Sequence, residues 1–161
     1  LTNSLEATDV AVVHAGYAKR RQPLLRAGVA LFEARRQAQA PRRRRHRRSG
    51  SSITSLHSKT FAIDGKRAFI GSFNFDPRSA RLNTEMGLLI ESPTLARACA
   101  DMFTNSAALH AYSVRLGDDG KLQWLQQDGV TKIIHTNEPG ASIWRRLYVK
   151  LWSLLPIEHL L

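Results

Sequence analysis

His57, Ser58 and Lys59 stand close ahead of Asp64 and the run Gly71-Ser72-Phe73-Asn74, in the spacing H-x-K-x4-D-x6-G-S-x-N. In an extended strand, positions i and i+2 point to the same side, so His57 and Lys59 share a face. A titratable ring nitrogen beside a fixed positive charge suits a phosphate. The nitrogen can attack or move a proton while the ammonium steadies the charge that develops. Ser72 and Asn74 are also two apart, directly after a glycine, and their hydroxyl and amide can donate to phosphate oxygens. Glu85 begins the next expected strand, where a carboxylate beside an imidazole fixes its tautomer and steadies the imidazolium. A lone H-x-K reads most simply as a solvated strand end. The convergence of His57, Lys59, Ser72, Asn74 and Glu85 is what points to one phosphate site.

Three short strands are expected to carry these groups. Thr60-Phe61-Ala62-Ile63 runs into Asp64-Gly65, a hairpin signal, and Arg67 to Gly71 returns. Glu85 to Ile90 is the third, after a long polar loop from Ser72 to Thr84. In that loop Asp76 and Arg78 would form a local ion pair of little weight. Arg78 and Arg81 would line the site or brace the loop. Upstream, Asp9 is the expected N-cap of a helix to Arg26, with Val10, Val13, His14, Tyr17 and Arg21 on one face. His14 reads as a structural histidine rather than a substrate contact. Pro23 would kink that helix and Gly28 close it. Val29 to Glu33 then reads as a short buried strand. Downstream, Pro93 starts a helix to about Ser106 with Leu95, Ala98, Met102 and Phe103 inward. Small strands follow at Val114–Leu116, Leu122–Trp124 and Thr131–Ile134, around turns at Asp119-Gly120 and Asp128-Gly129.

The 161 residues carry 24 Lys and Arg against 13 Asp and Glu, a net charge of +11. Such a balance implies an anionic partner: lipid, nucleic acid or a phosphate substrate. Much of the charge sits in Arg42–Arg48, within an Arg-rich stretch at 35–52 that reads as an exposed loop insertion. No aromatic residues interleave with that run, so nothing there favours a single-strand groove, and nucleic acid is the weaker partner. The single Cys99, expected as a buried helix residue, excludes an internal disulfide and a cysteine-cluster metal site. No apolar run is long enough to span a bilayer. Ser142 caps an expected helix to about Leu155, with Ile143, Trp144, Leu147, Tyr148, Leu151, Trp152 and Leu155 on one face. Arg145, Arg146 and Lys150 lie elsewhere on it. That helix divides evenly between a core role and an interfacial one.

From Leu56 to Gly87 the residues resemble the second H-K-D motif of bacterial phospholipase D-like proteins. More narrowly, they resemble cardiolipin synthases of the C type. The opening Leu-Thr-Asn-Ser-Leu-Glu-Ala-Thr-Asp and the later Glu-Pro-Gly-Ala-Ser-Ile-Trp-Arg-Arg are similar to the same family. The resemblance implies an α/β fold, a phospholipase D-like domain with a mixed, mostly central β-sheet flanked by helices. Residues 1–140 would be the C-terminal catalytic half and 141–161 an amphipathic terminal helix.

The resemblance further implies a phosphohistidine mechanism without metal or other cofactor. His57 would be the acid/base partner of a nucleophilic histidine from another motif. Lys59 and Asn74 would bind phosphate, Ser72 would support it and Glu85 would orient His57. Asp64 belongs to the catalytic motif in a structural place. The substrates would be phosphatidylglycerol and a second phospholipid, at the cytoplasmic face of the bacterial inner membrane.

The chain holds one H-x-K where such enzymes use two. Either an N-terminal half is missing, the favoured reading since Leu1 is not a start, or two chains pair as in single-motif nucleases. An inactive anionic-lipid or nucleic-acid binding module is a third reading.

Overall fold

A computed structural model of the chain describes residues 1–8, 10–36, 59–74 and 76–154. Asp9, Arg42–Arg48, His57 and Leu155 lie outside the described residues, so the expectations resting on them do too.

Eight strands and four helices alternate along these residues. Strand β1 (Thr2–Asn3) lies parallel to β2 (Leu31–Ala34). Strand β2 then pairs antiparallel with β6 (Ala111–Leu116), which leads through β7 (Leu122–Asp128) to β8 (Thr131–His135). The second sheet is an antiparallel meander of β3 (Lys59–Ile63), β4 (Arg67–Gly71) and β5 (Gly87–Glu91). The mixed α/β architecture is present, with its strands divided between two sheets rather than joined in one. Helix α3 (Pro93–His110) packs against strands of both.

Local chemistry explains most boundaries. Helix α1 (Ala11–Arg26) starts from Val10, which offers no side-chain cap. Pro23 sits inside the helix without ending it. The stop comes at Gly28, whose φ of 83° is left-handed backbone that glycine adopts at no cost. Gly28 N–H donates to the Leu25 carbonyl and Val29 N–H to the Leu24 carbonyl, satisfying two terminal acceptors in a Schellman motif. The β3–β4 hairpin closes where sequence places it. Asp64 and Gly65 both take positive φ, as a type I′ turn needs, and Lys66 N–H donates back to Ile63.

Three expected elements shift. Strand β2 begins at Leu31, and Val29 is outside it and 43% exposed. Strand β5 begins at Gly87, which leaves Glu85 in the preceding segment. The polar loop holds a short helix, α2 (Pro77–Arg81), because Asp76 Oδ1 accepts from Ser79 N–H at 2.7 Å and Pro77 fits the first turn. Asp76 therefore caps a helix instead of pairing with Arg78, whose Nε donates to Asn83 Oδ1 at 3.2 Å and braces the loop.

The inward face of α3 is corrected too. Ala96 is fully buried, with Leu95 and Cys99 half-buried beside it, whereas Ala98 and Met102 face outward.

One apolar cluster joins Leu5, Ala15, Ala141 and Val149, and with it α1 to α4 (Ile143–Ser153). A second joins Tyr112, Val114 and Trp124 on the larger sheet, with Leu25 and Leu31 against them. Beside that second cluster is a buried polar knot. Glu33 is fully buried and accepts from Arg21 Nε at 2.8 Å, Tyr17 Oη at 3.1 Å and Trp124 Nε1 at 2.9 Å. Arg21 also reaches Glu138 and the Nε2 of His14, and His14 is 4% exposed. His14 is thus a structural histidine.

Ser142 caps α4 as expected, accepting from Arg145 N–H at 3.2 Å. The helix, however, turns its expected apolar face outward. Ile143 is 66% exposed, Trp144 81% and Leu151 63%, while Val149 and half-buried Trp152 pack inward.

Candidate phosphate site at the end of the β3–β4–β5 sheet

Lys59, Gly71 and Gly87 lie in one row across β3, β4 and β5. Register alone therefore brings the end of the H-x-K segment beside the Gly-Ser-x-Asn turn. The row is unusually tight. A Cβ at Gly87 would stand 2.2 Å from the Phe69 ring, and one at Gly71 would stand 2.5 Å from the Met86 carbonyl. The Phe69 ring lies across both glycines and stacks on Phe61 at 4.6 Å between centroids. Only glycines let that ring lie so low, and the ring in turn sets the spacing of the strand ends.

Beyond the row, the chain is tied by Ser72. Its N–H donates to the Met86 carbonyl at 2.8 Å, and its Oγ accepts from Met86 N–H at 3.0 Å. The same hydroxyl donates to Glu85 Oε2, and Asn83 Nδ2 donates to Glu85 Oε1 at 3.3 Å. The Ser72 hydroxyl foremost, with Asn83 and the charge of Lys59 behind it, holds the Glu85 carboxyl below its ordinary range. Glu85 therefore remains an anion at the sheet end, beside the ammonium of Lys59.

The structure brings Lys59, Ser72 and Glu85 to one end of the meander. Asn74 is exposed just beyond Ser72, and His57 lies outside the described residues, two positions before Lys59. Asp64 is at the opposite end of β3, five residues along a strand that rises about 3.3 Å per residue. It shapes the hairpin and does not reach the group around Lys59. Ser72, expected to support the phosphate, has its hydroxyl bonded to Glu85 and Met86.

Asn83 was not singled out in the sequence. Its position two residues before Glu85 is the one signal that could have found it. Among the described residues, no group of three or more His, Cys, Asp and Glu is arranged to hold a metal ion.

A cation and a held carboxylate at one sheet end are an arrangement that can steady a phosphoryl group. Comparison with known proteins agrees in kind. The curated relatives include Cardiolipin synthase C of Escherichia coli (strain K12), 51% identical over 162 residues, covering 100% of this chain and 34% of that protein. Two uncharacterized proteins of Helicobacter pylori match over 99% of this chain and 31% of their own length. One, from strain ATCC 700392 / 26695, is 39% identical, and the other, from strain J99 / ATCC 700824, is 33% identical. The chain thus spans about a third of the length of the curated relatives it matches. No solved structure matches it. The family described as "Cardiolipin synthase, PLD-like domain" matches residues 1–107, which include the whole β3–β4–β5 meander, and the chain belongs to that phospholipase D-like family.

Proposed function

We propose that this chain is the C-terminal half of a phospholipase D-type phosphatidyltransferase, a cardiolipin synthase. It would work at the cytoplasmic face of the bacterial inner membrane as a peripheral protein. The observation that carries this reading is the joining of Lys59, Ser72 and Glu85 at one sheet end, immediately after His57, in a member of this family.

In the reaction, a histidine of another H-K-D motif attacks the phosphorus of phosphatidylglycerol and forms a P–N bond. The P–O bond to the leaving glycerol breaks, and His57 gives that oxygen its proton. His57 next removes the proton from a hydroxyl of the second phospholipid, which attacks phosphorus and releases the first histidine. Lys59 and Asn74 steady the phosphoryl oxygens throughout, and Glu85 stabilises the imidazolium form of His57.

A single H-x-K supplies half of this constellation. Support for a completing half comes from β5, which among the described residues is an edge strand and carries exposed apolar groups. Leu88 is 66% exposed and Leu89 55%, with Met86 at 80% just before the strand. Exposed apolar side chains on an unpaired edge invite a covering partner. A second copy of the chain would satisfy the same edge, and then the reaction would be that of a two-chain phosphodiesterase.

The test is transfer by the complete protein on phosphatidylglycerol vesicles. His57→Ala should lower turnover by at least about 100-fold, the scale of a lost general acid–base group. EDTA should leave the wild-type rate unchanged. Wild-type turnover in the variant, or a rate restored only by a divalent metal, would reject this chemistry.

A further inference from the structure

The segment that joins β4 to β5 converges on one side chain, the Glu85 carboxylate. Asp76 Oδ1 accepts from Ser79 N–H at 2.7 Å and starts α2 there. The helix stops where the Arg78 carbonyl accepts from Leu82 N–H at 2.8 Å and from Asn83 N–H at 3.0 Å. Arg78 takes hold of Asn83 a second time, because its Nε donates to Asn83 Oδ1 at 3.2 Å. One residue therefore holds both the backbone and the side chain of Asn83. Asn83 Nδ2 then donates to Glu85 Oε1 at 3.3 Å.

The chemistry of the three side chains decides which way round the amide lies. A guanidinium only donates, and an ionised carboxylate only accepts. Asn83 stands between them, so its oxygen faces Arg78 and its nitrogen faces Glu85. Aspartate in this place would offer both neighbours an acceptor, and alanine would offer nothing. The other carboxylate oxygen, Oε2, accepts from Ser72 Oγ. With a donor on each oxygen, the plane of the Glu85 carboxylate is set at two points. The Ser72 hydroxyl leads the influences that favour the anion, and the Asn83 amide is among them. Arg78 and Asn83 are exposed. Water competes for bonds at such positions, so they add little stability; what they supply is direction.

We infer that Asn83 is a positioning residue for the transfer reaction, clamped by Arg78, and that it aims the Glu85 carboxylate without touching substrate. The inference rests on the transfer chemistry proposed above, in which Glu85 steadies the imidazolium of His57. A carboxylate held by one oxygen alone turns about its Cγ–Cδ bond. Misalignment of a group that acts on a reacting centre lowers the rate steeply. A residue that merely braced the loop would show the opposite balance, with stability lost and turnover kept.

The complete protein, assayed for transfer on phosphatidylglycerol vesicles, tests this. Asn83→Ala should lower kcat roughly 10-fold, the scale of one hydrogen bond to a charged group, with KM nearly unchanged. The alkaline limb of its kcat profile should move to lower pH. A loosened carboxylate steadies the imidazolium less, so the acid loses its proton sooner. Asn83→Asp keeps the oxygen that Arg78 holds and removes the donor to Glu85. It should melt close to the wild type by circular dichroism and still lose turnover as Asn83→Ala does, and it carries the test if Asn83→Ala fails to fold. In a Glu85→Ala background, Asn83→Ala should lower kcat no further, since its effect passes through that carboxylate.

Asn83→Asp with wild-type turnover would overturn the inference, since the bond to Arg78 alone would then suffice. So would a loss from Asn83→Ala repeated in full on Glu85→Ala, or a lowered kcat with an unmoved alkaline limb. Those outcomes leave the transfer chemistry standing wherever His57→Ala is inactive and EDTA is without effect. A complete wild-type protein that transfers nothing, or His57→Ala as active as the wild type, would overturn the transfer reading and this inference with it.

Discussion

Glu85 lies on the surface, yet it is kept charged to a lower pH than an ordinary glutamate, first by the Ser72 hydroxyl. The sign follows from the direction of the shift. A carboxyl with a lowered pKa favours the folded arrangement above its ordinary value, 4.5 here, and loses that contribution as pH falls through the lower folded value. Ser72→Ala removes the leading cause, so the titration midpoint of Glu85, followed by carboxyl carbon NMR, should rise toward 4.5. An unmoved midpoint would mean that Ser72 does not hold this carboxylate. The same residue shows what spacing does and does not reveal. The G-S-x-N pattern marks Ser72 as polar and near the phosphate, but its bonds to Glu85 and Met86 depend on how the β4 and β5 ends meet. Glu85 was legible as a carboxylate near the site. Its place ahead of β5, rather than within it, was not, because Gly71 and Gly87 fix where pairing starts.

At the level of the element, the meander works because a ring crosses two glycines. Gly87→Ala would drive a methyl into Phe69, and overpacking of this kind costs about 1–3 kcal/mol. Thermal denaturation should show that loss, and Phe69→Leu in the same chain should restore part of it. A single variant as stable as the wild type would mean the strand ends can spread freely. The hairpin at Asp64-Gly65 and the stop at Gly28 were readable because left-handed backbone restricts residue choice to a few types. Helix α2 was missed because five residues give no periodicity. Its one signal was Asp76-Pro77 at the N-terminus, a cap followed by a proline. The inward face of α3 was misjudged, and that of α4 left open, for another reason. Periodicity says which residues share a side, but not which side meets the protein. In α4 the Arg145 side found an acceptor at Thr8 and Val149 found α1, which left the longer apolar stripe in solvent.

Across the whole molecule, the buried knot of Arg21, Glu33 and Glu138 ties the first helix to the larger sheet and to the segment ahead of α4. Arg21 is 3% exposed and Glu33 fully buried, so removing one partner leaves an uncompensated charge. Arg21→Met should therefore cost about 3–5 kcal/mol in denaturant unfolding. A loss below 1 kcal/mol would show the charge to be dispensable.

Burial works against the Glu138 anion, but the bonds and charges of His14 and Arg21 outweigh it, and its pKa is lowered from 4.5. Stability from Glu138 is thus present above pH 4.5 and drains as pH falls through the lower folded value. Acid unfolding should be shallower in Glu138→Gln, and an identical acid profile would count against this linkage.

The partners in this knot stand up to 124 positions apart, so no local pattern announces them. The spacing of the H-x-K and G-S-x-N residues, the hairpin between them and the family were readable from the chain alone, because those depend on residue type at short fixed spacing. Which carboxylates are buried, which groups Ser72 bonds and which face of α4 meets solvent were not readable there. Those outcomes depend on long-range packing that competes for every side chain at once.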